Sequence, residues 1–131
     1  MEQQKSISET LTSAISHLEN SMKALVNKDE NRVMSSVWKA AADLEYTNFL
    51  FSITRDKLKS SSWKLDLRSK QVEIGPLLVS AQDLIKEAKS DLDANELPKA
   101  YKKTWMARGY LLKVSDILQK AQKKSEPKKE T

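Results

Sequence analysis

Cysteine is absent from the 131 residues, histidine occurs once, and glycine and proline together supply only five. Without cysteine the chain has no disulfide, no thiolate metal ligand and no cysteine nucleophile. A single imidazole excludes any metal site that needs two histidine ligands. Because turns and hairpins draw heavily on glycine and proline, their scarcity argues against a fold of many strands.

Long apolar runs are also missing. The longest is about three residues, as at Leu77 to Val79, where a membrane span needs roughly 20. The first six residues hold no apolar segment of the kind found in a signal peptide. The length is typical of one domain, and we therefore expect a single-domain cytoplasmic protein with no membrane association.

What the chain does have is helical periodicity. Apolar residues recur at steps of three and four in four stretches, about 6–27, 29–59, 75–92 and 97–123, which is the pattern of amphipathic helices. The last stretch keeps this spacing over the whole series Leu97, Ala100, Thr104, Ala107, Leu111, Val114, Leu118 and Ala121. So long a repeat predicts near-antiparallel bundle packing.

The segment 60–75 breaks this pattern. Trp63, Leu65 and Leu67 alternate with charged residues, which favours an extended or irregular crossover. A helix also fits, because Trp63, Leu67, Lys70 and Ile74 lie at helical spacing.

The two halves of the chain resemble each other at an offset of 67 residues. Five identities align without gaps, namely Ala14 with Ala81, Leu25 with Leu92, Trp38 with Trp105, Ala40 with Ala107 and Leu44 with Leu111. The turn at 28–31 falls on the turn at 95–98. The sequence therefore predicts an all-α, antiparallel four-helix bundle built from two pseudo-repeated helical hairpins, with a crossover at about 60–75.

These boundaries divide the chain simply. We expect one domain over 1–123, with hairpins at 6–59 and 75–123. The remaining residues, 124–131, contain three lysines and none of the large apolar side chains, and are predicted to be a disordered basic tail.

Helices 2 and 4 carry more apolar surface than one stripe. Beside the main stripe of each helix lies a second group, and together these form a candidate protein interface of Trp38, Ala42, Tyr46, Phe49, Ile53, Tyr101, Trp105 and Leu112. Such residues can be buried within the monomer, with Trp63, Leu65 and Leu67 as a cover. They can also anchor another subunit, since interfaces favour tryptophan and tyrosine.

The net charge of +5 is concentrated in the crossover and the fourth helix. Candidate nucleic-acid contacts are Lys64, Arg68, Lys70, Lys99, Lys102, Lys113, Lys120 and Lys124, since basic rows can follow a phosphate backbone. A lysine-bearing outer face is equally typical of any bundle that faces water. The acidic row of Asp83, Glu87 and Asp91 is expected to meet Lys99, Lys103 or Arg108 across the second hairpin.

No catalytic constellation is evident. Ala14 stands where a Glu-x-x-His metal motif ending at His17 would need its glutamate, and the only glycines, Gly75 and Gly109, form no phosphate loop. We expect no enzyme activity, cofactor, metal or small-molecule substrate. The sequence instead favours a non-catalytic helical protein that acts through protein–protein interaction, as a homodimer or docked on a larger assembly. The alternative is an accessory nucleic-acid-binding protein.

Overall fold

A computed structural model describes residues 2–54 and 73–125. Within these ranges the chain forms four α-helices and no strand. They are α1 (Glu2–Val26), α2 (Glu30–Thr54), α3 (Ile74–Asp93) and α4 (Leu97–Ser125). The all-α prediction of two helical hairpins is confirmed.

Two helix ends differ by two residues or more from those predicted, and residues 55–59, where the second helix was predicted to end, lie outside the described residues. α1 begins at Glu2 instead of Ser6, and the Ser6 carbonyl accepts a hydrogen bond from Thr10 Oγ1 at 2.8 Å inside the helix. α4 continues through Ser125, two residues into the predicted tail. Both extensions contain only polar residues, so apolar periodicity gives no sign of them. Most of the predicted crossover, with Trp63, Leu65 and Leu67, and the tail from 126 onward lie outside the described residues.

Each helix packs against two neighbours. α1 contacts α2 and α3, α4 contacts α2 and α3, and the diagonal pairs α1–α4 and α2–α3 make no close backbone contact. Gln82 Nε2 lies 3.5 Å from the Ile15 carbonyl oxygen, while Lys89 Nζ lies 2.7 Å from Thr12 Oγ1. A later residue of α3 thus contacts an earlier residue of α1, so these two helices are antiparallel.

The contact between α2 and α4 has the same antiparallel direction. Ser115 Oγ lies 3.8 Å from Met34 Sδ, and Thr104 Oγ1 lies 2.7 Å from Asn48 Oδ1. α2 returns along α1 after a short turn, and α3 also runs antiparallel to α1, so α2 and α3 point in the same direction. The end of α2 and the start of α3 therefore lie at opposite ends of the bundle. The chain between Thr54 and Glu73 therefore joins opposite ends.

The core is the meeting point of the four predicted stripes. The largest completely buried side chains come from all four helices, namely Ile7, Leu11, Leu18, Val33, Val37, Leu44, Phe51, Leu78, Ile85, Leu111, Val114 and Leu118. Ala121, the last member of the α4 stripe, is exposed. The stripe thus leaves the core after Leu118.

The two hairpin turns have the same backbone structure. Lys28 and Asn95, which are 67 residues apart, both have positive φ, at 59° and 61°. The Asp29 N–H donates to the Ala24 carbonyl at 2.9 Å, and the Glu96 N–H donates to the Asp91 carbonyl at 2.8 Å. These bonds close the left-handed C-terminal motif that satisfies the last carbonyls of a helix. The two turns therefore form the same motif at the same position in the repeat, although their sequences differ.

The left-handed residue of the first turn gives a test of this geometry. A left-handed backbone costs an ordinary residue about 1–2 kcal/mol, whereas glycine adopts it freely and asparagine does so readily. We expect Lys28→Gly to raise the free energy of unfolding by about 0.5–1 kcal/mol, measured by urea denaturation. The free energy of unfolding should rise less in Asn95→Gly. A loss of stability in Lys28→Gly would contradict the left-handed conformation of Lys28.

Candidate protein-interaction surface

One face of α2 presents apolar side chains to solvent. Trp38, Ala42, Tyr46, Phe49 and Ile53, hereafter the α2 row, follow one another at steps of three and four residues. The exposed fractions of Trp38, Tyr46, Phe49 and Ile53 are 51, 50, 57 and 49%, and Ala42 is also exposed. The core stripe occupies the opposite side of the helix, so the row is an additional apolar surface.

The predicted members on α4 are positioned differently. Tyr101 is buried, and its ring stacks on Phe51 with centroids 5.4 Å apart and planes 19° apart. Of the two alternatives open for these residues, burial within the monomer holds for Tyr101, because this edge of α4 faces α2. Trp105 is half-buried and lines a groove together with Phe49 of the α2 row, and Leu112 is 40% exposed.

A shallow groove of about 330 Å³ separates the outer edges of α2 and α4. Its lining residues are Glu45, Asn48, Phe49, Ser52, Tyr101, Trp105 and Arg108. Beside it, Thr104 Oγ1 can donate to Asn48 Oδ1 at 2.7 Å or to the Tyr101 carbonyl at 2.9 Å. The groove thus lies over a polar contact that holds the two helices together.

The internal repeat shows whether the bundle requires apolar residues at the positions of the α2 row. One repeat later, the α2 row corresponds to Trp105, Gly109, Lys113, Asp116 and Lys120 on α4. There Lys120 Nζ lies 3.2 Å from Asp116 Oδ2, and both side chains are substantially exposed. Three of the five positions are therefore charged in the second hairpin, so bundle packing does not demand apolar residues at Tyr46, Phe49 and Ile53.

The described lysines of the predicted nucleic-acid surface lie on the outer side of α4. Lys99, Lys102 and Lys120 are exposed and Lys113 is half-buried. Lys99 Nζ pairs with Glu96 Oε2 at 3.2 Å, as Lys120 pairs with Asp116. The side chain of Lys124 and all of Lys64, Arg68 and Lys70 lie outside the description.

Polar contacts join the helices within each hairpin at different places. Lys103 Nζ lies 2.7 Å from Asp91 Oδ2 and 3.4 Å from Glu87 Oε1, which confirms part of the predicted seam between α3 and α4. In the first hairpin, the half-buried His17 has Nε2 3.6 Å from Asp43 Oδ2. The hairpins thus share a fold but not the position of these contacts.

Lys103 is the described group whose titration is clearly affected. The hydrogen bond from Lys103 to Asp91 raises the pKa of Lys103 above its usual 10.5, partial burial opposes this, and the charges of Asp91 and Glu87 add to the rise. The ammonium form is therefore favoured in the folded chain.

A second groove, of about 560 Å³, lies over the first hairpin, and no sequence pattern predicts it. Its lining combines Lys23, Arg32 and Lys39 with Asp29, and amide and hydroxyl side chains complete it. Arg32 Nε pairs with Asp29 Oδ2 at 3.5 Å. These residues lie on two helices and come together only when the hairpin folds, so no local sequence pattern reveals them.

Two further findings concern the described residues alone. No group of three or more acidic or histidine side chains among them is arranged to hold a metal ion. No helix in these ranges has the length and apolar character needed to cross a membrane.

Comparisons with protein-family models, with curated proteins and with solved structures give no match to this chain. The surfaces described above are therefore the basis for any statement of function.

Lys103 allows a test of the α3–α4 seam. We expect Lys103→Met to lower the free energy of unfolding by about 1 kcal/mol, because it leaves Asp91, whose side chain is only 15% exposed, without its cation. Lys102→Met, on the outer face of α4, is the matched control and should leave stability unchanged.

The same pair of variants predicts a pH dependence. Because the folded-state pKa of Lys103 is raised, its contribution is complete below pH 10.5 and is lost as the pH rises through the raised pKa. The stability difference between wild type and Lys103→Met should therefore shrink above pH 10.5 in urea denaturation. A difference that persists unchanged at higher pH would contradict the ion pair.

Proposed function

We propose that this chain is a non-catalytic protein that acts by binding protein through the α2 row. The observation that supports this proposal is the contrast between the two hairpins. Tyr46, Phe49 and Ile53 are apolar and about half exposed, whereas their counterparts Lys113, Asp116 and Lys120 are charged. A fold that accepts charge at these positions has no packing reason to retain exposed aromatic rings.

The composition of the row also favours a protein partner. Tryptophan and tyrosine are enriched among the residues that contribute most to protein interfaces, and contiguous exposed apolar patches mark interaction sites. Glu45 and Lys39 border the row, which supplies the polar rim that such interfaces have.

The outer face of α4 gives less support to nucleic-acid binding. Of its four described lysines, Lys99 and Lys120 each hold a carboxylate of their own helix or its N-terminal turn. These ion pairs reduce the positive charge available to phosphates. The observations therefore favour a protein partner, and a shift of labelled DNA or RNA by the chain at low salt would argue against this preference.

Site-specific photo-crosslinking in cells that express the chain tests the proposal. A photoreactive amino acid at Tyr46 should yield adducts to another protein molecule, because the proposed partner covers the α2 row at this residue. The same substitution at Lys113, its counterpart in the second hairpin, should yield few. Equal adducts at both positions, or none at Tyr46, would contradict the proposed function.

A further inference from the structure

The groove over the first hairpin has the size and the lining of a site for a polar ligand. Its volume of about 560 Å³ falls within the ~300–1,000 Å³ that is usual for small-molecule sites. Among its described lining residues, Ala24 alone has an apolar side chain. The others carry charge, amide or hydroxyl groups, namely Asn20, Lys23, Asn27, Asp29, Arg32, Ser35, Ser36 and Lys39.

In the second hairpin an ion-pair seam crosses the corresponding place. Lys103 Nζ on α4 lies 2.7 Å from Asp91 Oδ2 and 3.4 Å from Glu87 Oε1 on α3. The first hairpin has shorter side chains without charge at these three positions, namely Ser36, Ala24 and Asn20, and all three line the groove. The groove between α1 and α2 therefore occupies the space that the seam takes between α3 and α4.

The charge around the groove also differs from that of the second hairpin. Its lining holds three cations, Lys23, Arg32 and Lys39, against the single carboxylate of Asp29, a net charge of +2. At the corresponding positions of the second hairpin three cations and three carboxylates cancel, namely Lys99, Lys102, Lys103, Glu87, Asp91 and Glu96. A concave surface with an excess of one sign of charge attracts ligands of the opposite sign.

Two of these cations have no partner that the fold supplies. Among the described residues, neither Lys23 nor Lys39 forms an ion pair, and both are exposed. Their counterparts in the second hairpin are Ser90 and Met106. A hairpin that accepts serine and methionine at these positions has no packing reason to hold a cation at either one.

The positive part of the groove is short and is bounded by a carboxylate at each end. Arg32 and Lys39 are seven residues apart, which is about 10 Å along α2. Asp29 lies 3.5 Å from Arg32 at one end. One turn beyond Lys39, Asp43 lies 3.6 Å from His17 across the two helices. A nucleic-acid strand would meet a carboxylate in either direction, so the groove suits a compact anion better than a polymer.

Phosphate is the anion that this lining suits. Guanidinium, ammonium, hydroxyl and amide groups are the side-chain donors that proteins direct at phosphate oxygens. The cations are spread over two helices and about 10 Å, which is more than one phosphate group spans. We infer that the groove binds a small molecule with a diphosphate or two neighbouring phosphate groups, held between Lys23 on α1 and Arg32 and Lys39 on α2. This inference is independent of the proposed protein partner.

Isothermal titration calorimetry of the full chain with inorganic pyrophosphate tests the site. Wild type should bind one equivalent. Lys23→Met/Lys39→Met should weaken binding by roughly tenfold or more for each lysine, because each loses a charge-assisted contact to phosphate. Lys86→Met/Lys102→Met lowers the net charge equally at exposed positions outside the groove and should bind as wild type does. Equal weakening in both variants, or no binding by wild type at millimolar pyrophosphate, would overturn the site.

A second variant uses the internal repeat. Ala24→Asp/Ser36→Lys copies the pair of Asp91 and Lys103 into the first hairpin and leaves the net charge unchanged. It should keep the helical circular dichroism of wild type and lose pyrophosphate binding, because the two longer side chains fill the groove. Unchanged affinity in the folded variant would overturn the placement of the site. If this variant does not fold, the paired lysine variants decide the site by themselves.

Competition experiments test the class of ligand. Citrate carries a similar charge on carboxylates alone and should displace pyrophosphate only weakly. Equal displacement would show that the groove recognises charge without preference for phosphate, and would overturn the ligand class. A single-stranded oligonucleotide that displaces pyrophosphate with an affinity that rises with its length would assign the same lysines to a polymer and overturn the small-molecule ligand.

Discussion

The burial of one apolar stripe from each helix against two antiparallel neighbours is the interaction on which this structure depends. Leu11, Leu44, Ile85 and Leu111 bring all four helices to one core, and the diagonal helices make no close backbone contact. Burial of such side chains stabilises a fold by about 1.5–3 kcal/mol each. With the core satisfied in this way, the outer face of each helix is free to carry other chemistry.

Much of the fold follows from the sequence because it depends on periodicity. The four stripes, the two short turns and the offset of 67 residues are readable from residue spacing, and the hairpin architecture they predict is confirmed. The start of α1 at Glu2 and the end of α4 at Ser125 are not readable in this way. Those turns contain no apolar residue, so their helical state leaves no periodic signal.

The exposure of a candidate surface residue could be predicted only where the periodicity of its own helix determines it. A helical-wheel projection of α2 places Trp38 and Phe49 away from the core stripe, and both are exposed in the structure. The burial of Tyr101 depends on α2 lying at that edge of α4, where Phe51 stacks on its ring. A helical-wheel projection of α4 alone does not show where α2 lies. For the same reason, the groove formed by Lys23 and Lys39 appears only after the helices pair.

The difference between the hairpins would also limit how far an assembly can grow, if the α2 row binds protein as proposed. With an apolar row in both halves, each molecule would have two binding faces, and association through unlike faces could continue into a filament. In α4 the corresponding positions instead hold the ion pair of Asp116 and Lys120. Divergence within a repeated fold would then leave one binding face per molecule, and a complex on this face would end after one contact.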